Sequence, residues 1–168
     1  MLFKNSWVVS AFIIMLFCAG CGTNQTEVQQ GTGNNQPSTQ DSYRLQHYII
    51  EGRKLFNLHC SKCHQEDGTG LGRLIPPLKE ADFLQKNASK LPCIIKYGMA
   101  GEIYVNGNDY KQPMPGNQGL TNLEIAEIAT YVLNNWAEQK KLVPVKSIND
   151  LLRNCDNLQG SDSVWLGQ

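Results

Sequence analysis

Apolar residues recur at helical spacing in two long segments of the chain. In the first, positions at i, i+3, i+4 and i+7 begin near Tyr43, and Asp41 or Ser42 is placed to cap the helix. Its apolar face comprises Leu45, Tyr48, Ile49, Gly52, Leu55 and Phe56. In the second, Thr121 and Glu124 have the spacing of a capping box. One face of that segment carries Ile125, Ile128, Ala129, Val132 and Trp136. The pattern predicts two long amphipathic helices.

Shorter elements are predicted between these helices. Residues 81–90 and 92–97 form two short helical patterns that are separated at Pro92, since proline has no N–H with which to continue a helix. The pair Asn106-Gly107 is a strong hairpin signal, and it predicts a small two-stranded excursion over residues 103–110. After the hairpin the chain reaches Met114, which lies between two prolines.

The chain after residue 140 is predicted to be an extension of the domain. Ser147 and Asp150 have capping-box spacing, with aspartate in place of glutamate. A single apolar stripe follows, made of Ile148, Leu151, Leu152 and Cys155. Such a helix could pack on its own domain or dock on a partner protein. The sequence does not place the last residues, which include Trp165.

The N-terminal residues have the pattern of an export signal. Lys4 precedes a short apolar run over residues 7–17, which is shorter than the roughly 20 residues that a membrane-spanning helix needs. The run ends Cys18-Ala19-Gly20-Cys21, which resembles the lipobox of bacterial lipoproteins, although leucine is usual where Cys18 stands. We therefore predict a signal peptide over residues 1–20 and acylation of Cys21. Ordinary cleavage that leaves Cys21 as a free thiol is the alternative.

Residues 21–42 are predicted to form a flexible tether. The segment is rich in Gly, Thr, Asn and Gln, and it cannot bury enough apolar surface to offset the entropy of ordering. Over the whole chain of 168 residues, 15 basic side chains balance 15 acidic ones. No charge pattern typical of nucleic-acid binding is present, so we expect no nucleic-acid partner.

The segment Cys60-Ser61-Lys62-Cys63-His64 carries the chemistry. C-x-x-C-H is the attachment motif of a c-type haem: two thiols bond to one porphyrin, and the adjacent His64 ligates the iron. Two alternatives are weaker. A zinc site needs a second cysteine or histidine pair at suitable spacing, and a thioredoxin-like redox pair needs a βαβ setting. The two remaining cysteines of the exported chain, Cys93 and Cys155, could close a disulfide in an oxidising compartment.

The second axial ligand of the iron is predicted to be Met114. Its flanking prolines stiffen the loop, so that the thioether is presented without ordering a flexible segment. Met99, in a flexible glycine-containing turn, is the other methionine, and a histidine or an open site is a further alternative. His47 is expected on a helix surface, and His59 adjoins the attachment cysteines.

A backbone carbonyl in the segment Ile75-Pro76-Pro77-Leu78 could hold the ring of His64. Metal-bound histidines usually donate their second N–H to an acceptor of this kind. The carbonyl of Pro76 is favoured over that of Pro77. The prolines could instead merely stiffen the loop.

Together these residues resemble a class I c-type cytochrome of the small bacterial mono-haem type. The resemblance covers about residues 44–137 and rests on C-S-K-C-H, I-P-P-L, P-M-P-G and a last helix containing Tyr131. It implies an all-α fold over residues 43–140 and one covalently bound haem. The extension over residues 141–168 departs from the shortest members of the family, which leaves the role of the C-terminus open. Cys60 and Cys63 would be the thioether positions, and His64 and Met114 the axial ligands. It also implies that the first and last helices cross near Gly52 and Tyr131.

The resemblance implies a one-electron carrier that works between redox partner proteins on the periplasmic side of a membrane, held there by its lipid. Two other functions stay open. The chain could be the haem subunit of a larger oxidase or dehydrogenase complex. It could also be a haem enzyme that reacts with peroxide or a gas, although a di-haem peroxidase would need a second C-x-x-C-H motif, which the sequence lacks.

Overall fold

A computed structural model describes residues 38–155. Its helices in chain order are α1 Thr39–His59, α2 Ser61–His64, α3 Asp82–Lys86, a 3-10 turn Ala88–Lys90, α4 Leu91–Tyr97, α5 Asn122–Trp136 and α6 Val145–Leu152. The short strands are β1 Gly98–Met99, β2 Ile103–Val105, β3 Asn108–Tyr110 and β4 Met114–Pro115. The predicted all-α class is confirmed, with the strands as a minor addition. The signal peptide, Cys21, residues 22–37 and Trp165 lie outside the described residues.

The first helix begins earlier than the apolar pattern predicts. The hydroxyl oxygen of Ser38 accepts a hydrogen bond from the backbone N–H of Asp41, so Ser38 is the N-cap and the helix starts at Thr39. The prediction of a start near Tyr43, capped by Asp41 or Ser42, was wrong. Residues 39–42, which were assigned to the tether, are the first turn of α1.

Helices α1 and α5 cross at Gly52, as predicted. A Cβ atom added to Gly52 would overlap the backbone carbonyl of Glu127 and lie 2.8 Å from the Cβ of Tyr131. Beside the crossing, the ring of Phe56 packs on Tyr131 and Trp136, with centroid distances of 5.5 and 5.1 Å. Thr121 and Glu124 form the predicted capping box at the start of α5. Close approach of two backbones therefore explains a glycine in the middle of a helix.

The break between the middle helices does not fall at Pro92. It falls at Asn87, whose side-chain amide donates to the carbonyl oxygen of Phe83 at 2.9 Å and ends α3. Pro92 lies in the first turn of α4. A missing N–H costs nothing there, because the first N–H groups of a helix have no intrahelical partner. The predicted division at Pro92 was therefore wrong.

The C-terminal helix packs on its own domain. Ile148 of α6 is fully buried in the core, and a disulfide joins Cys155 to Cys93 of α4. The predicted cap was wrong: Pro144 precedes the first turn, and the hydroxyl of Ser147 donates to its carbonyl oxygen at 2.8 Å. Docking of this helix on a partner, the alternative raised above, is incompatible with the burial of Ile148. Within residues 38–155, none of the helices is both long and apolar enough to cross a membrane.

Candidate functional site

A cavity of about 330 Å³ lies at the centre of the domain. Helices α3, α4 and α5 line it with aliphatic and aromatic side chains, and the hairpin β2–β3 contributes Ile103 and Val105. All of the predicted site residues of the haem motif line this cavity, together with Pro76 and Met114. A cavity of this size and apolarity is typical of sites that bury a small molecule or cofactor.

The end of α1 delivers the two cysteines and the histidine to one wall of the cavity. Cys60 follows the last residue of α1, and its carbonyl oxygen accepts the N–H of His64 at 3.0 Å, which closes the single turn α2. Cys60 is partly buried, Cys63 is exposed, and neither is in a disulfide. The turn therefore presents both sulfur atoms and the imidazole to the same space, as the covalent attachment of a porphyrin requires.

The ring of His64 is buried and held from behind. Only 9% of the residue is exposed, and burial lowers its pKa, so the imidazole is neutral at pH 7 and suited to metal ligation. Its Nδ1 lies 3.4 Å from the carbonyl oxygen of Pro76, a long contact that opposes the pKa shift. The structure thus brings together the pair that the sequence predicted. The other ring nitrogen of His64, Nε2, does not make this contact with Pro76.

The proline loop depends on a glycine that sequence reasoning missed. A Cβ atom at Gly70 would lie 2.7 Å from the carbonyl oxygen of Pro76, and the residue has a φ of +71°. Both the space and the backbone conformation favour glycine here. The sequence signal for this role is the run of three glycines at alternate positions between His64 and Pro76.

The two rival chemistries at the cysteines find no support. In the thiol form, burial raises the pKa of Cys60 to about 11, and the neighbouring Cys63 adds to the effect. A redox pair of the thioredoxin type needs a lowered thiol pKa instead. In the part of the chain that is described, no three His, Cys, Asp or Glu side chains are grouped so that they could hold a metal ion.

Met114 and Met99 reach the cavity together from two neighbouring strands. They are directly paired in the short antiparallel ladder β1–β4, and facing residues of such a pair project to the same side. Both line the cavity, and Met99 is only 8% exposed. The expectation that Met99 lies in a flexible turn was therefore wrong. His47 is exposed on α1, as predicted. His59 is also exposed on α1, and neither histidine lines the cavity.

Two further glycines allow the Met114 loop to lie against the end of α4. A Cβ atom at Gly98 would overlap the carbonyl oxygen of Met114, and one at Gly116 would overlap the backbone of Tyr97. Beyond them, the ammonium of Lys96 donates to the carbonyl oxygens of Gln118 and Leu120, each at 2.8 Å. These long-range contacts have no local sequence signal, so sequence reasoning missed them.

The donor set fits an apolar cofactor that is held both covalently and through a metal. Two cysteine sulfur atoms, an imidazole nitrogen and the methionine thioethers all line the same apolar cavity. Thioether and imidazole are both ligands that haem iron accepts. The residues present therefore fit a haem attached through Cys60 and Cys63.

Comparison with known proteins gives two results. A family model described as Cytochrome c matches residues 49–136. Two curated relatives, both named cytochrome c-552 and both from Thermus thermophilus, are 31% identical to the chain over 96 residues. The match covers 55% of this chain and 72% of the first relative, but 64% of the second.

Proposed function

Since the chain belongs to the cytochrome c family, we propose that it carries single electrons on a haem whose iron is bound by His64 and Met114. Membership of the family makes it an electron-transfer haem protein with covalently bound haem c. The single observation that supports the ligand set is the placement of His64 and Met114 in the lining of one cavity. The thioethers would form at Cys60 and Cys63.

The haem supplies the redox chemistry, and the chain's own residues set how easily it is reduced. The carbonyl of Pro76 fixes the ring of His64 and makes its nitrogen more basic. A thioether from Met114 favours the reduced state relative to a second histidine. The apolar lining from α3 to α5 excludes water, so an added positive charge in the site is disfavoured.

The rival function is a haem enzyme that binds peroxide or a gas at an open sixth position. A thioether that lines the cavity between two stiffening prolines opposes this function. We expect the reduced protein to bind carbon monoxide only slowly, since Met114 must first leave the iron. Stopped-flow mixing with carbon monoxide measures this directly. Rapid binding in a single fast phase would favour the enzyme and contradict the carrier.

The partners are redox proteins that donate and accept the electron. Class I c-type cytochromes are typically exported, and the pattern of residues 1–21 supports the same location for this chain. In this proposal the acylated Cys21 holds the domain at the periplasmic side of a membrane, with the segment up to Ser38 as its tether. Because α6 packs on its own domain, this helix gives no support to the alternative of a haem subunit in a larger complex.

Replacing Cys21 with serine should release the protein from the membrane fraction, because serine cannot take the acyl groups of a lipoprotein. Two acyl chains anchor a protein far more firmly than one, so the expected shift is from mostly sedimenting to mostly soluble. Sedimentation of cell membranes followed by haem staining measures it. The matched control is Cys18→Leu, which keeps Cys21, places the usual lipobox residue at position 18, and should still sediment. A Cys21→Ser protein that sediments like the wild type would contradict the lipid anchor.

A further inference from the structure

The hairpin turn is fastened to helix α3 by the side chain of Asn106. Its Oδ1 accepts the backbone N–H of Asp82 at 3.0 Å, and the carboxylate Oδ1 of Asp82 accepts the N–H of Asn106 at 2.8 Å. The side-chain amide of Asn106 also donates to the carbonyl oxygen of Glu80 at 3.0 Å. We call these three hydrogen bonds the Asn106 clamp. They join residues 24 to 26 positions apart in the chain.

The turn conformation alone does not account for the clamp. Asn106 has a φ of +49° and Gly107 a φ of +80°, which a two-residue hairpin turn requires. Glycine at position 106 would satisfy that backbone equally well. Only an asparagine side chain reaches out of the hairpin to both Asp82 and Glu80. Glu80 itself is held at a φ of +55°, which is uncommon for a residue other than glycine, and its carbonyl is the one that Asn106 binds.

The hairpin forms a wall of the cavity and leads directly to Met114. Ile103 and Val105 of β2 line the cavity, and Val105 is 1% exposed. At the other end, the hydroxyl of Tyr110 donates to the carbonyl oxygen of Gly72 at 3.3 Å, in the loop that follows His64. Only three residues separate Tyr110 from Met114. The position of the hairpin therefore sets where the Met114 loop starts.

Helix α3 is a fixed base for the clamp. Ala81, Phe83 and Leu84 line the same cavity as the hairpin, and Ala81 and Leu84 are buried. The clamp thus joins two walls of the cavity at its rim. Loss of the clamp would free the hairpin at its turn while the other anchor of the Met114 loop, the ladder β1–β4, stays in place.

We propose that the Asn106 clamp is the device that keeps the Met114 loop closed on the haem, and that Asn106 and Asp82 are positioning residues for the axial methionine. This inference rests on the proposed ligation by Met114. The residues that control the iron–sulfur bond therefore lie at a surface turn, and this turn lines no part of the cavity. Opening of the hairpin lets the thioether leave and admits an outside ligand.

The test is the rate at which imidazole binds to the oxidised full-length protein. At saturating imidazole this rate reports how often Met114 leaves the iron. Asn106→Gly keeps the turn and removes the two side-chain bonds, so the rate should rise roughly tenfold, as expected when two hydrogen bonds of ordinary strength are lost. Asp82→Ala leaves the hairpin sequence intact and removes one clamp bond, so it should raise the rate by a smaller factor, roughly threefold. It also removes the exposed ion pair of the Asp82 carboxylate with Lys86, which lies within α3.

Two variants separate a local role from general damage. Asp82→Asn keeps a side-chain oxygen that can accept the N–H of Asn106, so it should bind imidazole at close to the wild-type rate. Asp109→Ala removes an exposed charge from the same hairpin and lies outside the clamp, so it should leave the rate unchanged. Thermal unfolding of each variant shows whether a rate change follows global stability.

Three results would overturn the inference. If both Asn106→Gly and Asp82→Ala bind imidazole at the wild-type rate, then the clamp does not control the methionine. The proposal that Met114 binds the iron would be unaffected by that result. If Asp109→Ala also binds imidazole faster, by a factor that matches its loss of stability, then the rate depends on the general packing of the hairpin and not on the clamp. If the spectrum of the oxidised wild-type protein lacks the charge-transfer band of a methionine–ferric iron bond, then Met114 does not bind the iron and the clamp has no such bond to control.

Discussion

Replacing Met114 with leucine should lower the midpoint reduction potential by on the order of 100 mV, within the roughly 0.8 V that axial ligands can span. Leucine has a similar volume but no sulfur, so the cavity lining is kept while the ligand is lost. The haem should stay attached, because its covalent bonds are those to Cys60 and Cys63, which the substitution leaves in place. Spectroelectrochemical titration of the purified protein gives the potential, and the methionine–iron charge-transfer band should disappear with the ligand.

The matched control is Met99→Leu. Met99 is paired with Met114 in the ladder β1–β4 and lines the same cavity, so it tests a methionine in the same surroundings. We expect its potential to stay near the wild-type value. If Met99→Leu lowered the potential and Met114→Leu did not, the two methionines would have to exchange roles. An unchanged potential in both variants would mean that neither thioether binds the iron.

Replacing Gly52 with alanine should destabilise the folded protein by about 2 kcal/mol or more. The new methyl group would overlap the carbonyl of Glu127, a backbone atom that cannot move aside without separating α1 from α5. The better helix propensity of alanine, about 1 kcal/mol, offsets only part of that cost. Denaturant unfolding followed by circular dichroism gives the change in free energy of unfolding.

Gly119→Ala is the control for this substitution. The nearest atom to a Cβ there is the side-chain oxygen of Asn117 at 3.4 Å, which is an ordinary van der Waals contact. Its free energy of unfolding should stay within about 0.5 kcal/mol of the wild type, as for most surface changes. Equal stability of Gly52→Ala and the wild type would show that the two helices do not cross as closely as the structure has them.

The parts of the fold and site that were predicted correctly are those with a local signal. The haem motif is five consecutive residues, the capping box at Thr121 spans four, and the Asn106-Gly107 turn is defined by two. Gly52 in an apolar helix face indicated a helix crossing, since glycine there is unfavourable unless a neighbour approaches closely. Each of these signals comes from interactions between residues that are close together in the sequence.

What sequence reasoning missed depends on contacts between distant segments. The pairing of Met99 with Met114 brings together strands that the intervening hairpin separates in sequence. The contacts of Asn106 with α3 could not be read from a dipeptide that already had a sufficient explanation as a turn. The start of α1 was missed for a different reason: its first turn is polar, and only the Ser38 cap marks it.

The most direct test of the central claim is the intact mass of the purified, exported protein after denaturation, read together with its pyridine haemochrome spectrum. If Cys60 and Cys63 hold a haem over His64, the mass should exceed that of the processed, acylated polypeptide by one haem. The spectrum should be that of a haem with two saturated side chains, and neither cysteine should react with an alkylating reagent. A mass without haem, with Cys60 and Cys63 both alkylated, would contradict the account.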